Sequence, residues 1–150
     1  MEVQKRQTRS HVAALSVHTG KYKQPSLGEF TALTVADAMT YEDGIKLVYS
    51  RSSSMQKAGD DNPGAMAALL ALDTDQVNAL CEQVSKETGQ TVVLANDNCP
   101  GQAVVSGTIE AIDRLLEIAP EAGAKRAVKL AVSVASHSPL MAPAAESFKV

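Results

Sequence analysis

An α/β (α+β) fold is predicted from three features of the 150-residue sequence. Helix-period apolar stripes run from Phe30 to the turn formers at 59 to 64. Short β-branched runs bounded by turn formers fill its second half, and strands and helices alternate in a fixed order from residue 64 onward. The length suffices for one ordinary domain, or one and a half small ones, with a core that needs no covalent staples. Hydrophobic residues make up 45% and charged residues 21%, but aromatic residues only 3%, so alanine, valine and leucine must fill that core.

Residues 1 to 23 show little periodicity; Val12, Leu15 and Val17 point to a short strand or a broken helix, ended by Gly20 and Pro25. From Phe30 the run FTALTVADAM reads as a helix, and a second helix restarts at Thr40, whose hydroxyl can cap it with Asp43 at the third position. In that helix Ile45, Val48, Ser52 and Met55 form one stripe and Leu47, Arg51 and Ser54 its neighbour, which puts Arg51 at the border of the apolar face. The turn formers GDDNPG at 59 to 64 close this block.

A different pattern follows. AMAALLAL at 65 to 72 reads as a buried strand, and Asp73 with Gln76 opens a helix in which Val77, Leu80, Cys81 and Val84 share a face until Gly89 stops it. TVVLAN at 91 to 96 and QAVVSG at 102 to 107 are strands joined by the turn NCPG, which contains Asn98. Ile112, Leu115, Leu116 and Ala119 line a further helix ending at Gly123, and AKRAVKLAVSV supplies the last strand. The order is βαββαβ, the ferredoxin-like split arrangement of four strands covered on one face by two helices. That architecture hosts many functions, so chemistry has to be argued from particular residues.

The formal charge of -3 and pI near 5.6 give no basis for binding a polyanion, so nucleic acid is not an expected ligand. The two cysteines, Cys81 and Cys99, lie in different elements and encode neither a disulfide framework nor a zinc site, which suits a reducing cytoplasm. No run reaches membrane-spanning length. The basic start MEVQKRQTRS has no apolar stretch of a secretory signal behind it and no amphipathic Arg-rich helix of a transit peptide.

Three segments carry candidate chemistry. QPSLGEFTAL sets Ser26 between an extended Pro-containing stretch and a helix start, the setting of a nucleophile elbow. Helix-start amides, that of Leu27 included, would there face an oxyanion. A serine before a helix is more commonly a plain N-cap. In VASHSPLM, His137 leaves the last expected strand just before Pro139, where a neutral imidazole can take a proton from a serine hydroxyl and return it to a thiol; the plainer reading is a polar loop histidine. The guanidinium of Arg51 can hold a carboxylate through two parallel hydrogen bonds, although a helical arginine is by default solvated.

Taken in order, SLGEFTAL, LVYSRSSSMQKAG with its RxxxMQ spacing, NPGAMAALLAL, NDNCPGQAVVSG, GAKRAV and HSPLMAPAAE resemble the malonyl-coenzyme A:acyl carrier protein transacylase family over residues 26 to 147. The resemblance implies a partial α/β-hydrolase-like acyltransferase subdomain over residues 1–63 with the elbow and two helices. A ferredoxin-like subdomain over 64–133 and a return segment over 134–150 carrying the histidine would complete it. It implies Ser26 as acyl-accepting nucleophile, His137 as general base, Arg51 as anchor of the malonyl carboxylate and Leu27 as an oxyanion donor. Asn98 would line the cleft, and Arg126 matches a basic position that binds the pantetheine-bearing partner. Substrate and partner would be malonyl-CoA and acyl carrier protein, with no metal or organic cofactor, the phosphopantetheine belonging to the carrier.

The resemblance has departures. The family places glycine and histidine before the serine, where this sequence has Gln24 and Pro25, and family members run on before and after the matched region. A chain truncated at both ends is therefore expected. An alternative expectation is a remnant without activity whose 64–133 module binds a carrier protein or partner chain. VASH also partly resembles the methylmalonyl-type motif of polyketide synthase acyltransferases, but Leu27, where glutamine would stand, points towards malonyl.

Overall fold

The computed structural model describes residues 27–148. Ser26 and the segment containing His11, Val12, Leu15, Val17 and His18 lie outside the described residues. The chain divides after Ser52 into two compact units.

In the first unit, helix α1 (Gly28–Val35) is shorter than FTALTVADAM suggested. It stops because Asp37 adopts a left-handed backbone, φ 53°, while Ala36, Asp37 and Ala38 donate back to the carbonyls of Ala32, Thr34 and Leu33. Helix α2 (Tyr41–Asp61), of which the residues up to Ser52 belong to this unit, begins as expected: the Asp43 amide donates to Thr40 Oγ1 at 3.1 Å and that hydroxyl donates to Asp43 Oδ2 at 2.7 Å. Glu42 and Asp43 in its first turn complement the positive end of the helix dipole.

The second unit has the expected order: β1 (Gly64–Leu70), α3 (Thr74–Thr88), β2 (Val92–Cys99), β3 (Gln102–Thr108), α4 (Ile109–Ile118) and β4 (Arg126–Lys129). The strands stand in the order β2-β3-β1-β4, all neighbours antiparallel, which is the ferredoxin-like topology. Pairing of Ala65 with Gly107, Ala67 with Val105 and Leu69 with Ala103 sets their side chains on one face. There they meet Val77, Leu80, Cys81 and Val84 of α3 and Ala111, Ile112 and Leu115 of α4. Alanine, valine, leucine and isoleucine make up most of this core, which contains no aromatic ring.

Helix starts are specified locally. Asp73 Oδ1 accepts from the Gln76 amide at 2.8 Å, and Gln76 Oε1 accepts from the Asp73 amide at 3.0 Å, a complete capping box. Gly89 ends α3 with φ 67°, a conformation that favours glycine.

Later in the second unit the structure differs further from the sequence reading. Strand β2 runs on through Asn98 and Cys99, with register shifts between Leu94 and Asn96 and between Asp97 and Cys99, so the turn shrinks to Pro100 and Gly101. Helix α4 stops at Ile118 because Pro120 has no N–H to continue it, and turns carry the chain on to Gly123. Strand β4 has four residues where eleven were expected over 124 to 134. Its pairing with β1 ends at Ala67, the Leu130 amide makes one more bond to Met66 O at 2.8 Å, and the Val132 amide then turns back to Leu130 O at 2.9 Å. Beyond it lie a short 3₁₀ turn, Pro139–Met141, and helix α5 (Ala142–Ser147).

Two outcomes are expected. Replacing Asp73 by Ala should lower stability by roughly 0.5–2 kcal/mol in urea denaturation, the usual cost of a lost N-cap. Burial pushes the Cys81 thiol up to about 12, and the thiolate is the reactive form. A thiol reagent at neutral pH should therefore label only exposed Cys99 in the native protein, and both cysteines after denaturation. Rapid native labelling of Cys81 would contradict the packing described.

Candidate active site

Each unit carries part of the expected site. Leu27 and Arg51 lie in the first, His137, Asn98 and Arg126 in the second, and Ser26 outside the described residues.

Leu27 stands at the N-cap of α1 with helical backbone, φ -75° and ψ -32°, so its amide belongs to the helix-start donors that have no intrahelical acceptor. Such donors, reinforced by the helix dipole, suit a developing negative charge.

Arg51 lies on α2 within the sheltered face, not at its border. Leu47, Val48, Arg51, Ser54 and Met55 are half-buried and Gly44 and Ala58 buried, whereas Ile45 and Ser52, expected in the apolar stripe, are exposed. The spacing of three and four residues predicted a stripe correctly but did not locate its centre, because Ser54 and Arg51 contribute shelter that an apolar count ignores. A partly desolvated guanidinium binds a carboxylate more strongly than a fully solvated one.

His137 does not leave a strand as expected, since β4 ends at Lys129. It sits instead in a loop at the entrance to the 3₁₀ turn. Its backbone is left-handed, φ 60°, and its side chain is exposed, while Ala135 and Ser138 on either side are buried. Ser138 Oγ donates to Ala135 O at 2.7 Å, and the Met141 amide donates to Ser138 O at 3.0 Å. The loop is thus stapled inside and the imidazole presented outside. A non-glycine residue in this region costs on the order of 1–3 kcal/mol, and histidine is among the types that adopt it. The sequence reading missed Ser138, although a serine before proline is a recognisable start of a helical turn.

Asn98 is exposed on β2 at the second register shift, where an irregular strand can re-aim a side chain, and not in the turn expected for it. Arg126 opens β4, opposite Leu70, and is exposed beside Lys125. Lys129 is engaged with Asp113 at 2.5 Å.

The resolved electrostatic perturbations among the described residues lie elsewhere. The Glu87 carboxyl is held below the usual range by hydrogen bonds from Gln83 and Arg114, an exposed cluster that ties α3 to α4. No group of three or more metal-ligating side chains occurs among the described residues, and no described helix is long and apolar enough to cross a membrane.

The backbone at position 137 yields a test. His137→Gly should be at least as stable as the parent, whereas His137→Val should lose roughly 1–2 kcal/mol in chemical denaturation, because a β-branched residue tolerates positive φ poorly. Equal stability of the two variants would show that the loop does not hold this conformation.

Comparison with known proteins gives this arrangement a context. A malonyl CoA-acyl carrier protein transacylase of Haemophilus influenzae is 46% identical over 125 residues, covering 83% of this chain and 39% of the relative. One from Bacillus subtilis is 45% identical over 124 residues, with the same shares covered. The solved structure of the Coxiella burnetii transacylase superposes with a TM-score of 0.78 at 44% identity, over 82% of this chain and 38% of that one. A malonyl-transacylase solved in complex with a type II polyketide synthase acyl-carrier protein superposes at 0.76 with 38% identity, over 97% and 49%. The chain therefore spans about two fifths of the length of the curated relatives it matches. The model of the acyl transferase domain matches residues 25–149, and the chain belongs to that family.

Proposed function

We propose that this chain carries out malonyl transfer from malonyl-CoA to the phosphopantetheine thiol of an acyl carrier protein, as a step in fatty acid biosynthesis. The observation that carries the reading is His137: an exposed imidazole held on a strained, internally stapled loop, within a member of the acyl transferase family. Names of the relatives supply the acyl group and the carrier.

Ser26 Oγ attacks the thioester carbonyl while His137 takes the hydroxyl proton. The oxyanion is met by the Leu27 amide at the head of α1. As the C–S bond breaks, His137 returns the proton to the departing CoA thiolate, leaving malonate as an ester on Ser26. The carrier's thiol then attacks that ester, passes its proton to His137, and Ser26 recovers it. Arg51 holds the malonyl carboxylate during both halves, which favours malonyl over an uncharged acyl group. Asn98 lines the path, and Arg126 faces the carrier, whose phosphopantetheine carries charge that a basic rim attracts. The thioester is itself the activated acyl donor, so the reaction asks for no metal or organic cofactor. The free thiols of Cys81 and Cys99 support a cytoplasmic setting.

Brief incubation with malonyl-CoA followed by intact-mass analysis should show a malonyl-sized gain that is absent from Ser26→Ala. No gain in a folded parent would refute transfer by this chain and favour a carrier-binding remnant. Arg51→Ala should slow malonyl uptake by roughly tenfold to a hundredfold, the worth of a hydrogen bond to a charged group, and leave acetyl uptake nearly unchanged. Parallel loss with both substrates would remove Arg51 from the role of carboxylate anchor.

A further inference from the structure

We propose that Gly59 and Gly64 form a seat that fixes the backbone of the His137 loop, making them positioning residues for the imidazole. The inference rests on the reading of His137 as the base. A methyl group on Gly59 would stand 2.6 Å from Val134 Cγ1, with Ser133 O at 3.5 Å. On Gly64 it would stand 2.5 Å from Ala135 Cβ and 3.2 Å from Leu140 Cδ1. Carbon atoms pack best about 3.5–4.0 Å apart, so neither position has room for a side chain.

The two glycines bracket the junction between α2 and β1, and what they touch is not scattered. Val134 and Ala135 are consecutive and lead through Ser136 into His137, while Leu140 lies three residues beyond it. Both flanks of the loop therefore rest on backbone that has no side chains to hold it away. The Ser138–Ala135 hydrogen bond closes the loop above this seat. The imidazole itself is exposed, so its place is set by the backbone beneath it. Glycine in the last turns of a helix costs about 0.5–1 kcal/mol relative to alanine, a cost that room for Val134 explains at Gly59.

Gly59 offers the cleaner test, because a methyl group on Gly64 would also stand 2.7 Å from Gly107 O. The full chain is compared with Gly59→Ala, Val134→Ala and the double variant. Three quantities are followed: the melting temperature, the pH titration of the His137 imidazole by NMR, assigned by its loss in His137→Gln, and malonyl uptake by intact mass. Gly59→Ala should move the His137 resonance and titration midpoint and slow uptake about tenfold or more, since a displacement of about 1 Å can cost roughly a hundredfold. Removing Val134 Cγ1 in the double variant should restore both. An unmoved titration in folded Gly59→Ala, or a double variant as displaced as the single, overturns the seat. Should Gly59→Ala not fold, Val134→Leu enlarges the same contact from the other side, and an unmoved titration there overturns the proposal equally. A parent that takes up no malonyl group defeats the acyl-transfer reading alone, because the His137 titration still reports on the seat.

Discussion

Strand β1 lies between β3 and β4, and Gly64 to Ala67 are buried without a break. Burial of both faces is unusual for an antiparallel sheet, whose second face is commonly wet. Two different coverings produce it. Helices α3 and α4 cover the face of Ala65, Ala67 and Leu69, while Met66 packs on the other face with Ala95, Val104 and Leu130. At the start of β1 that second face also receives Ala135 and Leu140, against Gly64. The composition of the strand follows from this double covering: large side chains at every position would force the layers apart, and alanine and glycine let both close.

The same constraint explains how a strained residue persists. A left-handed histidine is stable only where its surroundings over-determine it. On the N-terminal side of His137 the chain is fixed by burial of Ala135 against β1, and on the C-terminal side by burial of Ser138 and by Pro139, whose ring sets the first angle of the 3₁₀ turn. The hydrogen bond between Ser138 and Ala135 joins the two sides. With both ends placed, the residues between them have to complete the turn, and the strain at His137 is offset by packing elsewhere in the loop.

Local chemistry was legible in the sequence, and long-range chemistry was not. Asp73 with Gln76 and Thr40 with Asp43 announced their helices because a cap is a bond between residues three apart. Short apolar runs bounded by turn formers revealed β1 and β3, and element order then gave the ferredoxin-like topology. By contrast, AKRAVKLAVSV has strand composition throughout, yet pairs with β1 over only four residues; where it leaves the sheet is decided by its partner. The stripe on α2 was visible, but its centre at Arg51 was not, since shelter depends on surroundings and not on side-chain polarity. His137 was expected at a strand end where the structure has a loop, and Gly59 and Gly64 read only as turn formers, because the neighbours that exclude a side chain from them are some seventy residues away in the sequence.

The sheet's two faces differ in how well local rules are obeyed. On the helical face every level agrees: alternation, complete caps and an apolar core. The other face carries exceptions of its own. Ser106, opposite Met66 on β3, is fully buried, and its hydroxyl has no hydrogen-bond partner among the described residues. Gly64 admits the return segment at a distance that leaves no space for a methyl group, and that segment delivers His137 with positive φ. A buried hydroxyl without a partner costs about 1–3 kcal/mol, comparable to the backbone strain. Stability alone would favour alanine at 106 and glycine at 137. The unpartnered hydroxyl of Ser106 and the close contact of Gly64 with the return segment lie on the same face of the sheet, opposite the helices.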